Sequence, residues 1–97
     1  MTLTSKQKSY LRGLAHKLKP VVMIGNAGIT ENIIQEIDSS LSHHELIKVR
    51  ISGMERNDRE NTAVELCKKT DSELVTTIGH IAVLFRPSKK PQIKLPG

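Results

Sequence analysis

The sequence predicts a small α+β domain in which three helices and a mixed four-stranded sheet form two layers, in the order α-β-α-β-α-β-β. Its 97 residues are enough for one hydrophobic core and too few for two domains. Along the chain, segments whose apolar residues have helical spacing alternate with short, strand-like apolar runs. The last two of these runs are separated by only two residues, Gly79-His80, a spacing typical of an antiparallel hairpin.

The first helix is predicted from Thr4 to about Lys19. Thr4 and Gln7 fit a capping box, which satisfies backbone donors at a helix start. Pro20 disfavours helical geometry in the residue before it and so ends the helix. The predicted buried stripe has i, i+3, i+4, i+7 spacing and contains Leu11, Leu14, Ala15 and Leu18.

A short buried strand and a second helix follow. Residues 21–24 are all apolar and are long enough for one strand. Thr30 is a favourable N-cap for the next helix, and Glu31 complements the positive end of the helix dipole. We expect the helix to end at His43-His44. Its predicted buried stripe contains Ile33, Ile34, Ile37 and Leu41.

The middle of the chain predicts a second strand and a third helix. Residues 46–51 alternate between apolar and basic side chains, which indicates a strand with one buried face and one wet, basic face. The wet face carries Lys48 and Arg50. Asn57 or Asp58 is the expected cap of the third helix. Its predicted core residues are Ala63, Val64, Leu66 and Cys67.

The chain is predicted to end in a hairpin and a basic tail. Residues 74–78 and 81–85 predict two strands, and a glycine first in their two-residue connection suits a type II′ turn. The domain is therefore expected to span residues 1–88. Residues 89–97 contain three lysines and two prolines and predict an extended or loosely ordered tail, with a mobile phosphate-binding arm as one hypothesis for Lys89, Lys90 and Lys94.

Positive charge is concentrated at the two ends of the chain. The net charge is +5, and neither residues 1–30 nor residues 86–97 contain an acid. If the ends meet in the fold, they form one cationic surface, which suits nucleic acid or an anionic membrane. Solubility alone is the remaining interpretation, and the asymmetry favours nucleic acid.

A turn of small residues follows the first strand-like run: Gly25, Asn26, Ala27 and Gly28. Glycine permits positive φ and a close approach of a partner's backbone. The next helix begins with N–H groups that lack intrahelical partners, so the turn can hold an anion. A GxxG loop clamps the sugar–phosphate backbone in KH modules, although isolated matches are usually ordinary turns. Context strengthens this match, because basic residues at i, i+4, i+8 spacing share a ridge of the first helix: Lys8, Arg12 and His16.

Three segments, LRGLAHKLKPVVMIGNAGIT, HHELIKVRI and IGHIAVLFRPS, occur in that order between about Thr4 and Ser88. Together they closely resemble the CRM domain, specifically stand-alone bacterial YhbY-like proteins. The resemblance implies an RNA-binding domain similar in fold to the C-terminal domain of translation initiation factor three. It also implies a link to precursors of the large ribosomal subunit, and to intron splicing in plant relatives. Asn26 stands where many members have lysine, so the charge must come from Lys8, Arg12, Lys17, Lys19 and the helix terminus.

The predicted function is non-enzymatic binding of ribosomal RNA from the large-subunit precursor during ribosome assembly. The residues expected to contact RNA are Lys8, Arg12, His16, Lys17, Lys19, Gly25, Asn26, Ala27, Gly28, Thr30, Lys48, Arg50 and Arg86. We expect no cofactor, metal, membrane or small-molecule substrate. We expect a cytoplasmic monomer.

Two other classes of function stay open at this point. A protein-interaction adaptor would dock on a ribosomal protein or an assembly factor through the open sheet face. An enzyme is the weaker hypothesis, because the sequence places no base beside Cys67 and predicts a buried, inert thiol there. Adjacent helical residues point about 100° apart, so His43 and His44 are poorly placed to hold one metal ion.

Overall fold

The computed structural model describes residues 2–97 and contains the seven predicted elements in the predicted order. They are α1 (Ser5–Ala15), β1 (Pro20–Ile24), α2 (Glu31–His44), β2 (Leu46–Ile51), α3 (Arg56–Thr70), β3 (Glu73–Ile78) and β4 (Ile81–Phe85). The strands form one sheet in the order β1-β2-β4-β3. β1 is parallel to β2, whereas β4 is antiparallel to both of its neighbours, so the mixed sheet and the α+β class are confirmed.

Helices cover both faces of the sheet, so the fold has three layers and the predicted two-layer arrangement is wrong. The cause lies in β4, which is buried on both faces. Its residues Ala82 and Leu84 belong to the core beneath α2 and α3, whereas Val83 and Phe85 belong to the core beneath α1. A strand that is apolar on both faces needs a cover on each of them.

Helix α1 has the predicted capping box at its start but ends at Ala15, several residues before Lys19. Beyond its end, the Leu18 N–H donates to the Ala15 carbonyl at 2.9 Å, which tightens the chain into a turn before Pro20. Leu14 and Leu18, both predicted in the buried stripe, are exposed, whereas Leu11 and Ala15 are buried.

Helix α3 begins earlier than predicted, with Glu55 at the N-cap position, so the predicted caps Asn57 and Asp58 lie inside its first turn. Arg59 fixes this start by donating to the Met54 carbonyl at 3.0 Å. Val64 is exposed, contrary to the prediction, because the buried stripe of α3 has i, i+3, i+4, i+7 spacing from Ala63 and excludes position 64. The other three predicted core residues of α3 are buried.

Strand β1 is an edge strand and is buried on one face only. Val22 and Ile24 belong to the core beneath α2 and α3, whereas Val21 and Met23 on the other face are exposed. The strand that was predicted to be buried is therefore buried on one face and exposed on the other. No helix among residues 2–97 is long and apolar enough to cross a membrane.

The C-terminal tail has no regular secondary structure but is packed on the domain. Ile93 and Leu95 contact the core beneath α1. The Glu45 side chain, only 3% exposed, accepts hydrogen bonds from the backbone N–H groups of Ser88, Gln92 and Ile93. This anchoring replaces the loosely ordered arm predicted from composition.

Candidate nucleic-acid interface

The GNAG loop, residues 25–28, is a tight turn that joins β1 to α2. The Gly28 N–H donates to the Gly25 carbonyl at 3.0 Å and closes the turn. Gly28 has a φ of +72°, in the left-handed region that favours glycine. Gly25, Asn26 and Ala27 are exposed, so the loop presents mainly backbone to the solvent.

The backbone donors at this corner are only partly satisfied within the protein. Thr30 is the N-cap of α2, as predicted, and its Oγ1 accepts from the Ile33 N–H at 3.2 Å. Within residues 2–97, no hydrogen bond is formed by the N–H groups of Ala27, Glu31 and Asn32. These donors, at the positive end of the helix dipole, are available to an anion.

The loop after β2 supports the GNAG loop, a role that the sequence analysis missed. A Cβ atom built on Gly53 would overlap the Asn26 side-chain oxygen, and the φ of Gly53 is +78°. The Ser52 N–H also donates to the Ile24 carbonyl at 2.8 Å. A glycine two residues after the end of a strand was the available signal for such a close approach.

The basic ridge of α1, formed by Lys8, Arg12 and His16, faces the end of the sheet that carries the GNAG loop. Leu14, on the other flank of the helix, and Leu18, in the turn that follows the helix, line a groove with Ile93 at the opposite end of the sheet. Residues on the two flanks of a buried helical stripe must point to opposite sides.

Lys48 and Arg50 lie on the α1 face of the sheet, between the helix and the GNAG loop. Lys48 Nζ donates to the His16 carbonyl at 3.4 Å, which ties the sheet to the end of the ridge. Arg50 is exposed and pairs across the strands with Met23, two residues before the loop. The ridge and these two side chains thus lie on the α1 face of the sheet, toward the end that carries the GNAG loop, and we call this surface the basic face.

Lys17 and Lys19 are not adjacent to the GNAG loop. Lys19 directly precedes β1, whereas the loop directly follows that strand. Five residues of strand separate the two by roughly 16 Å. These lysines extend the positive charge beyond the basic face and do not line the loop.

Arg86 is occupied by internal contacts, and we remove it from the predicted RNA-contacting set. Its guanidinium donates to Asp38 Oδ1 at 2.7 Å, to the Thr70 carbonyl at 2.8 Å and to Ser42 Oγ at 3.0 Å. These partners belong to α2 and α3, so Arg86 joins the two helices on the sheet face opposite α1.

Of the side chains considered for enzymatic chemistry, Cys67 is buried and His43 lies against the protein's own backbone. Cys67 is buried, and burial raises the pKa of its thiol, which disfavours the nucleophilic thiolate. His43 Nδ1 lies 2.8 Å from the Ser39 carbonyl in the preceding turn of α2. Among residues 2–97 there is no group of three or more His, Cys, Asp or Glu side chains arranged to hold a metal ion.

Comparison with known proteins places this geometry in context. The profile of the CRS1/YhbY (CRM) domain matches residues 3–86. A Haemophilus influenzae protein named "RNA-binding protein" is 48% identical over 95 residues, which cover 98% of this chain and 96% of that protein. The Bacillus subtilis "Probable RNA-binding protein YqeI" is 42% identical, covering 97% and 99%. A solution structure from Staphylococcus aureus has a TM-score of 0.87 at 46% identity, covering 98% of this chain and 100% of that one.

Proposed function

The chain belongs to the CRS1/YhbY (CRM) family, and we propose that it binds RNA without catalysing a reaction, through the GNAG loop and the basic face. The observation that carries the proposal is that the unpaired backbone donors of the GNAG loop corner lie at the end of the sheet toward which the basic ridge points. Relatives that match nearly the whole chain are named RNA-binding proteins, which supports it.

In the proposed mechanism, one set of residues attracts the RNA and another fixes the position of its backbone. Lys8, Arg12 and Arg50 supply long-range attraction to phosphates, and each contact releases counterions from the RNA. The GNAG loop then lets a phosphate approach the N–H groups at the start of α2, because no large side chain intervenes. Such contacts fix the position of the RNA backbone and carry no direct sequence information.

The RNA that we propose as the target is the ribosomal RNA of the large-subunit precursor, bound in the cytoplasm by a monomer during ribosome assembly. This target is suggested by the resemblance to YhbY-like proteins. Crosslinking in cells, followed by sequencing of the attached RNA, tests it directly. Enrichment of precursor sequences of the large-subunit RNA is the expected result, whereas enrichment of unrelated RNAs would contradict this target and leave RNA binding intact.

Removing two cations from the basic face should weaken the salt dependence of RNA binding. For Arg12→Ala with Arg50→Ala, we expect the slope of log affinity against log salt to fall by about 1.4, since each lost phosphate contact on single-stranded RNA removes about 0.7. The measurement is fluorescence anisotropy with a labelled mixed-sequence RNA at several salt concentrations. The matched control, Lys68→Ala with Lys90→Ala, removes the same charge from exposed positions away from this face. Equal slopes for the two pairs would place the RNA elsewhere.

Neutralising Glu31 should act in the opposite direction. Its exposed side chain lies in the first turn of α2, beside the donors proposed to hold a phosphate. Removing a like charge there should tighten binding of the same RNA about threefold, the equivalent of roughly 0.6 kcal/mol. Glu65→Gln on α3 makes the same change of charge at an exposed position and serves as the control. An unchanged or weakened affinity for Glu31→Gln would argue against phosphate at this corner.

A further inference from the structure

We propose that the part of the sheet left uncovered by α1 receives unstacked RNA bases, which makes the protein a binder of single-stranded RNA. The inference rests on the proposed function and deepens it. It starts from four residues that lie side by side across the sheet at one level. Met23 on β1 pairs with Arg50 on β2, Arg50 pairs with Ile81 on β4, and Ile81 pairs with Ile78 on β3. We call these four residues the cross-strand row.

Three of the four residues in the cross-strand row are apolar, and the two at its ends are unusually open to solvent. Met23 is 69% exposed and Ile78 is 57% exposed, while Ile81 is half-buried at the edge of the core beneath α1. With about 4.8 Å between neighbouring strands, the row extends over roughly 14 Å. Large apolar side chains grouped on an open sheet face indicate a surface that binds a partner.

The charge around the row favours RNA as that partner. Arg50 stands within the row, Lys48 lies on the same sheet face, and the basic ridge of α1 borders the row on one side. The row itself contains no acid. One end of the row, at Met23, is two residues from the GNAG loop. A polyanion whose phosphate rests on the loop can therefore place its next bases over the row.

The side chains of the row favour unpaired, unstacked bases over bases in a double helix. Aliphatic side chains and a guanidinium plane can contact the flat faces of bases, which a double helix keeps stacked. Among residues 2–97, neither Phe85 nor Tyr10 is available for this purpose on the sheet face. Phe85 is buried, and Tyr10 lies one helical turn before Leu14, on the flank of α1 away from the row. An aliphatic platform of this kind tolerates any base sequence.

The test compares single-stranded RNA with the same sequence in a duplex. Met23→Ser with Ile78→Ser should weaken binding of the labelled single strand about tenfold, because two apolar contacts with bases are lost. Affinity for the duplex and the salt slope should stay at the wild-type values, since no phosphate contact is removed. Tyr10→Ser with Val64→Ser is the matched control, because each of these side chains is 43% exposed and lies outside the row. Thermal unfolding of both pairs confirms that the fold is retained.

The outcomes separate this inference from the proposed function. If the row variant and the control variant bind the single strand with equal affinity, bases do not bind on the row. The proposed function still stands in that case, provided that the wild-type protein binds RNA. An equal loss for single strand and duplex also overturns the inference. Loss of a protein partner by the row variant, with RNA affinity unchanged, would assign the face to protein docking. If the wild-type protein binds neither form of RNA, both proposals fail.

Discussion

Glu45→Ala is expected to lower the free energy of unfolding by about 3 kcal/mol, measured by denaturant titration. The Glu45 carboxylate is buried just after α2 and has no cation beside it among the described residues. Four hydrogen bonds compensate its charge. They come from the backbone N–H groups of Gln92 and Ile93 and from both the N–H and the hydroxyl of Ser88. Truncation leaves these donors without their acceptor, and the tail loses its attachment.

The same carboxylate gives the stability a defined pH dependence. Burial alone would raise the pKa of Glu45, but the hydrogen bonds from Ser88, Ile93 and Gln92 outweigh it and hold the pKa below its ordinary value of 4.5. The stabilisation is therefore complete above the unfolded-state pKa and is lost as the pH falls through the lower folded-state value. We expect the stability difference between wild type and Glu45→Gln to be constant above about pH 5 and to shrink below pH 4.5.

Ser88→Ala provides a graded control for the Glu45 attachment. It removes one of the four donors and keeps the backbone N–H, so a loss of about 1 kcal/mol is expected. A loss for Glu45→Ala no larger than that for Ser88→Ala would contradict the anchoring role. The anchoring role would also be contradicted if the difference in unfolding free energy between wild type and Glu45→Gln did not change between pH 7 and about pH 3.

The sequence predicted the elements whose signals are local. The capping box of α1 and the Thr30 cap of α2 involve residues three apart in the chain, and both are present. The alternation in β2 is likewise visible in six consecutive residues, and its two faces are those predicted. Periodicity and capping act over single turns or strands, so one sequence is enough to find them.

The attachment of the tail could not be predicted in the same way. Glu45 and its donors are more than 40 residues apart in the sequence. The residues next to Glu45 give no local pattern that predicts its burial. Arg86 shows the same difficulty, because its partners Asp38 and Thr70 come from two other elements. Arg86 was predicted to contact RNA, whereas tertiary packing makes it a link between helices.

The candidate site was predicted in its parts and not in its arrangement. The GNAG loop and the basic ridge follow from spacing, but their relative position depends on which flank of α1 meets the sheet. The cross-strand row was also not predicted, because Met23 and Ile78 occur in apolar runs that indicate ordinary core strands. Only the pairing of four strands, two of them far apart in sequence, brings these side chains together.

Gly25→Asp is expected to weaken RNA binding about thirtyfold, the equivalent of roughly 2 kcal/mol. The new side chain would stand between the phosphate and the backbone, and its charge would repel the phosphate. Gly25 suits this test better than Gly28. A Cβ on Gly25 meets no atom within 4 Å and the φ of Gly25 is not positive, whereas a substitution at Gly28 would also strain the turn.

The matched control for Gly25→Asp is Asn61→Asp, which adds the same charge at an exposed position on α3. Long-range repulsion alone would weaken RNA binding equally in the two variants, so the excess loss in Gly25→Asp measures direct contact at the loop. Unfolding midpoints near the wild-type value are expected for both, because both positions are open to solvent. Equal affinities for the two variants would show that RNA does not touch the GNAG loop, and binding would then have to rest on the cations of the basic face alone.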